Sequence, residues 1–246
     1  MNAADILLWV VVPYVCLAVF VVGHYWRYRY DKFGWTTRSS QLYERRLLRW
    51  GSPLFHFGIL FALAGHVIGL GIPASWTEAA GIPEEAYHVV AVTTGAIAGI
   101  GTVAGLAILL YRRRTVGPVF SATTRNDKLM YLVLTATILF GLSNTVLGNL
   151  LNEAQPYRET VSPWFRGIFF FQPKPDLMSQ AGIGYQLHAL SACLLFALWP
   201  FTRLVHVLSA PLGYFTRPYI VYRSRDAQLG TRPVARGWER LGQGRR

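Results

Sequence analysis

Four of the six histidines in this 246-residue sequence occupy apolar runs, where an ionisable side chain is expensive. His56 and His66 stand ten residues apart in one run, and His188 and His206 stand eighteen apart in another. An ionisable group at bilayer depth costs roughly 3 kcal/mol or more, so such residues point first to function. Imidazole binds iron, copper and zinc alike. A zinc or copper site would want a third or fourth ligand, and no Cys, Asp or Glu stands suitably in these runs. Two imidazoles from separate segments fit the two axial positions of a haem iron instead. A doubly ligated iron is closed to oxygen or substrate, which favours electron transfer. The residue types therefore point to two haems b, each held by two histidines. Small residues beside the ligands (Gly58, Gly65, Gly69, Ala189) would let a flat macrocycle lie close to the backbone. Arg203 would either pair with a haem propionate or act as an ordinary basic anchor.

The elements that must carry these ligands are long apolar helices. Just over half the residues are hydrophobic (52%) and only 15% are charged. Five apolar runs, at about 5–25, 52–72, 87–111, 128–150 and 183–208, are long enough to cross a hydrocarbon core. Such runs are too continuous for barrel strands, and lipid tolerates only helices or closed barrels. The expected fold is an all-α integral membrane protein, a five-transmembrane-helix bundle spanning residues 1–223. A polar Gly/Arg-rich tail follows at 224–246. The first run lacks a basic leader and a clear cleavage site, and is expected to remain as a helix. Cys16 and Cys193 fall inside spans. Two thiols are too few for an iron–sulfur cluster and read as small buried side chains.

The net charge of +12 is a matter of topology. Seven basic residues lie between the first and second spans, five between the third and fourth, and eight after position 208. The alternate loops hold only Arg158, Arg166 and Lys174. The positive-inside rule puts the N-terminus outside and the C-terminus in the cytoplasm, and no nucleic-acid partner is needed to explain the charge. Spans two and five then run antiparallel, which matches His56 with His206 near the inner face and His66 with His188 near the outer one. Eighteen residues make about five whole turns, so the two histidines of span five are expected to share a face. Ten residues leave those of span two roughly 80° apart. The rises fit poorly, about 15 Å against about 27 Å, and a kink at Pro200 is one way to absorb the difference.

Other features are of packing or surface kind. Gly95-x-x-x-Gly99 and Gly101-x-x-x-Gly105 allow close approach of helices. The basic, aromatic 26–50 segment is either an interfacial helix and docking face or topology charge with an aromatic belt. Pro163–Phe171 is expected at the membrane surface. His24, at the inner end of span one, reads as structural. Tyr87 and His88 open span three on the outer side, level with the outer pair. There a neutral His could accept a proton from a quinol, or could simply start a polar helix end.

The strings LFHFGILFALAGHVIGL (54–70), RYRYDKFGW, RSSQ, SATT (121–124) and PFTRLVHVLSAPLGYFTRPY (200–219) resemble the gamma, cytochrome b subunit of respiratory membrane-bound nitrate reductase. The resemblance covers roughly residues 5–223. It implies that His56 and His206 ligate the inner haem iron, and His66 and His188 the outer one. It implies quinol oxidation near the outer haem, with menaquinol or ubiquinol as substrate. It further implies electron delivery to a cytoplasmic iron–sulfur beta subunit and a molybdenum-cofactor alpha subunit that reduces nitrate to nitrite, all at the cell membrane. Some members of that family carry a lysine at about the position of Tyr87, and this chain does not. Two alternatives stay open at this point. One is the di-haem cytochrome b of another quinone-linked dehydrogenase or hydrogenase; the other is a haem-free transporter or scaffold.

Overall fold

The computed structural model describes residues 2–31, 33–35, 39–150, 156–209 and 216, with the side chains at 149 and 150 excepted. The expected tail at 224–246, its boundary at 223, and most of the 200–219 string beyond Ser209 lie outside the described residues. Among the described residues there is no strand. Five helices among these residues are long and apolar enough to cross a membrane. They are α1 (Ala3–Tyr30), α2 (Arg46–Gly71), α4 (Glu84–Thr115), α6 (Arg125–Leu150) and α9 (Ile183–Leu198, continued by a tight turn to Phe201). Short helices α3 (Ala74–Ala79), α5 (Gly117–Ser121), α7 (Val161–Phe169) and α8 (Pro175–Gln180) lie in the connections. Most of the long helices outrun the expected spans, because their flanking Arg and Tyr residues continue the helix past the apolar stretch.

Glycine registers set the bundle. A Cβ at Gly58 would lie 2.5 Å from the Thr102 hydroxyl, and one at Gly105 would strike the Phe55 backbone, with the Cα at 2.7 Å. These two contacts pack α2 against α4 in antiparallel register. On the other side of α4, Gly99 faces Leu142 and Gly95 faces Thr145, which seats α6 antiparallel as well. The two small-residue motifs of span three thus serve two different neighbours. Gly58 and Gly69 are also spoken for, the latter lying beneath Tyr157 and Tyr87, so neither is free to seat a macrocycle. Next to them α9 packs along α6 and α1, and not along α2.

The fifth span does not run to 208. It leaves the α-helix at Leu198, makes a 3-10 turn over Trp199–Phe201, passes through extended Thr202 (φ −122°, ψ −179°) and makes a second 3-10 turn over Arg203–Val207. Pro200 has no N–H for the helical ladder, and its ring obstructs the preceding turn. His188 and His206 therefore sit on separate pieces of structure. The five-whole-turns reasoning and the ~27 Å rise, which belong to a continuous helix, do not apply.

The end of the bundle opposite the arginine-rich loops is closed by α7. Two π-helical turns, Leu7–Val11 in α1 and Val67–Gly71 in α2, widen the ladder and displace carbonyls from it. Side chains of α7 take up carbonyls of those turns: Trp164 Nε1 donates to Trp9 O (2.8 Å), the Ser162 hydroxyl to Gly69 O (2.9 Å) and Arg166 to Leu70 O (2.9 Å). Phe169, Phe170 and Phe171 stay exposed, as expected of a surface segment. At the arginine-rich end, the described part of 31–45 forms turns and not the interfacial helix considered for it. Arg112, fully buried, bonds Ser40 O, Glu44 O, the Ser40 hydroxyl and the Glu44 carboxylate, and so pins this loop to the end of α4.

Candidate functional site

Helix α2 delivers two imidazoles and the α9 segment delivers their partners. The His56 and His206 rings have centroids 6.0 Å apart, and those of His66 and His188 are 5.9 Å apart. Two imidazoles ligating one ion from opposite sides, through bonds of about 2 Å, place their centroids roughly 6 Å apart. The rings reach each other although α2 and α9 are not packed backbone to backbone. That spacing fits a flat group sandwiched between two helices.

The second nitrogen of each ring supports the same fit. His56 Nδ1 bonds Ser52 O (2.7 Å), His66 Nδ1 bonds Ala62 O (2.7 Å), His188 Nδ1 bonds Thr137 O (2.9 Å) and His206 Nδ1 bonds Arg203 O (2.7 Å). A carbonyl can only accept, so in every case Nδ1 carries the proton and Nε2 keeps its lone pair. This is the arrangement by which proteins present histidine to a metal. His24 Nδ1 makes the same kind of bond, to Phe20 O (2.7 Å), so the bond alone does not mark a ligand. What sets the four apart is that each also faces a second imidazole at about 6 Å. Among the described residues no three His, Cys, Asp or Glu side chains converge as a metal cluster. Two-nitrogen sites of this kind suit an iron whose remaining positions are filled by its own macrocycle. A Cβ at Gly65, beside His66, would meet nothing within 4 Å.

Several residues at these sites were not legible beforehand. Gly141 of α6 seats the His188 ring: an added Cβ would lie 2.8 Å from Cε1. The glycine has no partner in its own motif, so nothing in sequence flagged it. Arg203 is gripped by the buried Asp127 carboxylate, Nε to Oδ1 at 3.0 Å and Nη2 to Oδ2 at 3.3 Å. This internal ion pair stands where a propionate contact was considered. Tyr87 does come near the His66–His188 pair, its hydroxyl 3.2 Å from that of Tyr157, and both hydroxyls lie over Gly69, one turn beyond His66. Tyr185, one turn before His188, stacks on Tyr157. Arg158 lies over the Tyr87 ring at 3.9 Å and donates to Glu84 and Thr77. Burial and the Tyr87 hydroxyl push the Tyr157 phenol well above its ordinary value, so it remains a hydroxyl. His88, one residue on, is exposed and makes no hydrogen bond among the described residues.

His24 is buried against Phe20 and Trp35 and bonds Phe20 O, in keeping with a structural role. Cys16 and Cys193 are unpaired.

Comparison with known proteins separates the alternatives. The sequence signature of the nitrate reductase gamma subunit matches residues 5–225. The chain belongs to that family. It is 43% identical over 220 residues to the nitrate reductase gamma chain of Bacillus subtilis, covering 89% of this chain and 98% of that one. Against the respiratory nitrate reductase 2 gamma chain of Escherichia coli the identity is 36%, covering 87% and 94%. A nitrate reductase-like protein of Mycobacterium tuberculosis is 64% identical over 233 residues. The chain spans only 36% of that relative's length, although 94% of the chain is matched. Family membership favours nitrate reductase over another di-haem cytochrome b, and the paired imidazoles weigh against a transporter or scaffold.

Proposed function

We propose that this chain is the quinol-oxidising cytochrome b subunit of a respiratory nitrate reductase, with two bis-histidine haems b. The observation that carries the reading is the pair of opposed imidazole couples with every Nδ1 bonded to a carbonyl. His66 and His188 would hold the outer haem, and His56 and His206 the inner one. Bound there, the haems would supply two one-electron carriers in line across the membrane. The arginine-rich end faces the cytoplasm on this reading, as the positive-inside rule requires of the cell membrane. An iron–sulfur beta subunit and a molybdenum-cofactor alpha subunit would receive the electrons there and reduce nitrate.

Oxidising a quinol releases two electrons and two protons. The protein must therefore hold the quinol oxygens near the outer site and give the protons a way out. Tyr87 and Tyr157 are better placed for this than His88, because their hydroxyls lie over Gly69 while His88 is exposed. Their role would be to orient the quinol by hydrogen bonds. Glu84, bonded to Arg158 and open to the outer side, is a proton acceptor within the same network.

The test is spectroscopic. The gently solubilised complex should show b-type bands on reduction with dithionite, and with a quinol. His66→Ala or His188→Ala should remove one haem and reduction by quinol. His56→Ala or His206→Ala should remove the other and leave the outer haem reducible. Tyr87→Phe should keep both haems and slow reduction by quinol. An unreduced, band-free preparation of the wild-type complex would overturn the proposal. Loss of the same haem in His66→Ala and His206→Ala would overturn the pairing.

A further inference from the structure

Three of the four imidazoles are oriented by regular α-helix. His56 and His66 take the carbonyl four residues earlier in α2, and His188 takes one from α6. His206 has no such support. Its acceptor, Arg203 O, belongs to the same five-residue 3-10 turn, separated from α9 by extended Thr202. A short turn beyond a helix break needs holding from outside. Part of the hold comes from its own approach: Trp199 Nε1 donates to Leu204 O at 2.8 Å, and the Thr202 hydroxyl accepts from Leu204 N–H at 3.3 Å.

The hold from a second helix comes from Asp127. Its carboxylate grips the Arg203 guanidinium at two points and is itself fixed in the first turn of α6. There the Thr124 N–H donates to Oδ2 (3.1 Å), and the Asp127 N–H donates to the Thr124 hydroxyl (3.1 Å). Such reciprocal bonds lock a side chain at a helix start. Asp127 is only 2% exposed, and a buried carboxylate is retained at a cost that its partners must offset. The chain of bonds then runs from α6 through Asp127 and the Arg203 side chain to the Arg203 carbonyl and His206 Nδ1.

We propose that Asp127 is a positioning residue for His206, acting through Arg203 to set the plane and tautomer of the inner haem ligand. The inference rests on the haem reading above. Outer-sphere partners of metal-bound histidines commonly tune affinity and electronic properties in this way.

The experiment uses the whole solubilised complex and reads the low-spin haem EPR signals and the midpoint potential of each haem. His206→Ala identifies the inner signal as the one it abolishes. Asp127→Ala should shift or abolish that signal and move its potential, leaving the outer signal in place as evidence of a folded bundle. Asp127→Asn, which keeps one acceptor for Arg203, should produce the smaller shift. Should Asp127→Ala fail to assemble, Arg203→Lys keeps the charge, breaks the two-point grip and is expected to shift the same signal. Wild-type spectra in the variant that assembles, or equal disturbance of both haems, would overturn the inference while leaving the haem assignment intact. A wild-type complex without two b-type signals would instead overturn the haem assignment itself.

Discussion

Each of the four paired imidazoles has its Nδ1 engaged by a carbonyl of its own, so a disturbance at one ring need not reach another. Gly141 offers the cleanest case. A methyl group there would come within 2.8 Å of His188 Cε1 and 3.2 Å of Nδ1, and the ring must move or α6 must yield. Overpacking of this kind costs about 1–3 kcal/mol. On the proposed haem reading, Gly141→Ala should therefore weaken or shift the reduced band assigned to the His66–His188 pair and leave that of the His56–His206 pair untouched; equal retention of both bands would show that the ring has room. At this scale the four paired histidines were conspicuous in the sequence, because an ionisable group stands out in an apolar run. It was silent on what orients them. The acceptors are backbone carbonyls, which every residue carries, and Asp127 and Gly141 act on residues of a different helical segment far along the chain.

The helices were legible from apolar length, and their partners only in part. Small-residue spacing in α4 announced close packing, yet only the structure divides the four glycines between α2 and α6. Gly105 is the tightest of them, since a Cβ there collides with the backbone of Phe55 and no rotamer change can relieve it. Gly105→Ala should part α2 from α4 and cost at least about 1–3 kcal/mol. Thermal unfolding in detergent should fall by several degrees, at roughly 2–4 °C per kcal/mol for a chain of this size. An unchanged midpoint would mean that the helices separate freely. The break at Pro200 was the element-scale surprise. A proline in an apolar run reads equally as a kink or a stop, and hydropathy alone carries on to residue 208. What decides for a stop is Thr202, whose hydroxyl caps the next turn by accepting from the Leu204 N–H.

Across the whole molecule, the uneven spread of basic residues is read as orientation, yet one of them serves another purpose. Arg112 counts among the five basic residues between spans three and four, but it is fully buried and holds the 39–45 loop by four hydrogen bonds. Its carboxylate partner makes that hold sensitive to acid. Burial pushes the Glu44 carboxyl up, but the Leu47 N–H and the Arg112 guanidinium outweigh it and hold the group below its ordinary value of 4.5. A carboxyl with a lowered folded pKa binds fewer protons folded than unfolded. It therefore adds stability above the ordinary value and loses that stability as pH falls through the folded one. Protonation would also leave the buried guanidinium facing a neutral acid, which costs more than the lost attraction alone. Glu44→Gln should thus be less stable than wild type at neutral pH, with the gap closing below about pH 4.5 as the wild-type carboxyl is neutralised. Unfolding midpoints in detergent, measured from neutral pH down to about pH 3 for both proteins, test this. A gap of constant size across that range would mean that Glu44 acts through packing, and that the charge of Arg112 is balanced elsewhere.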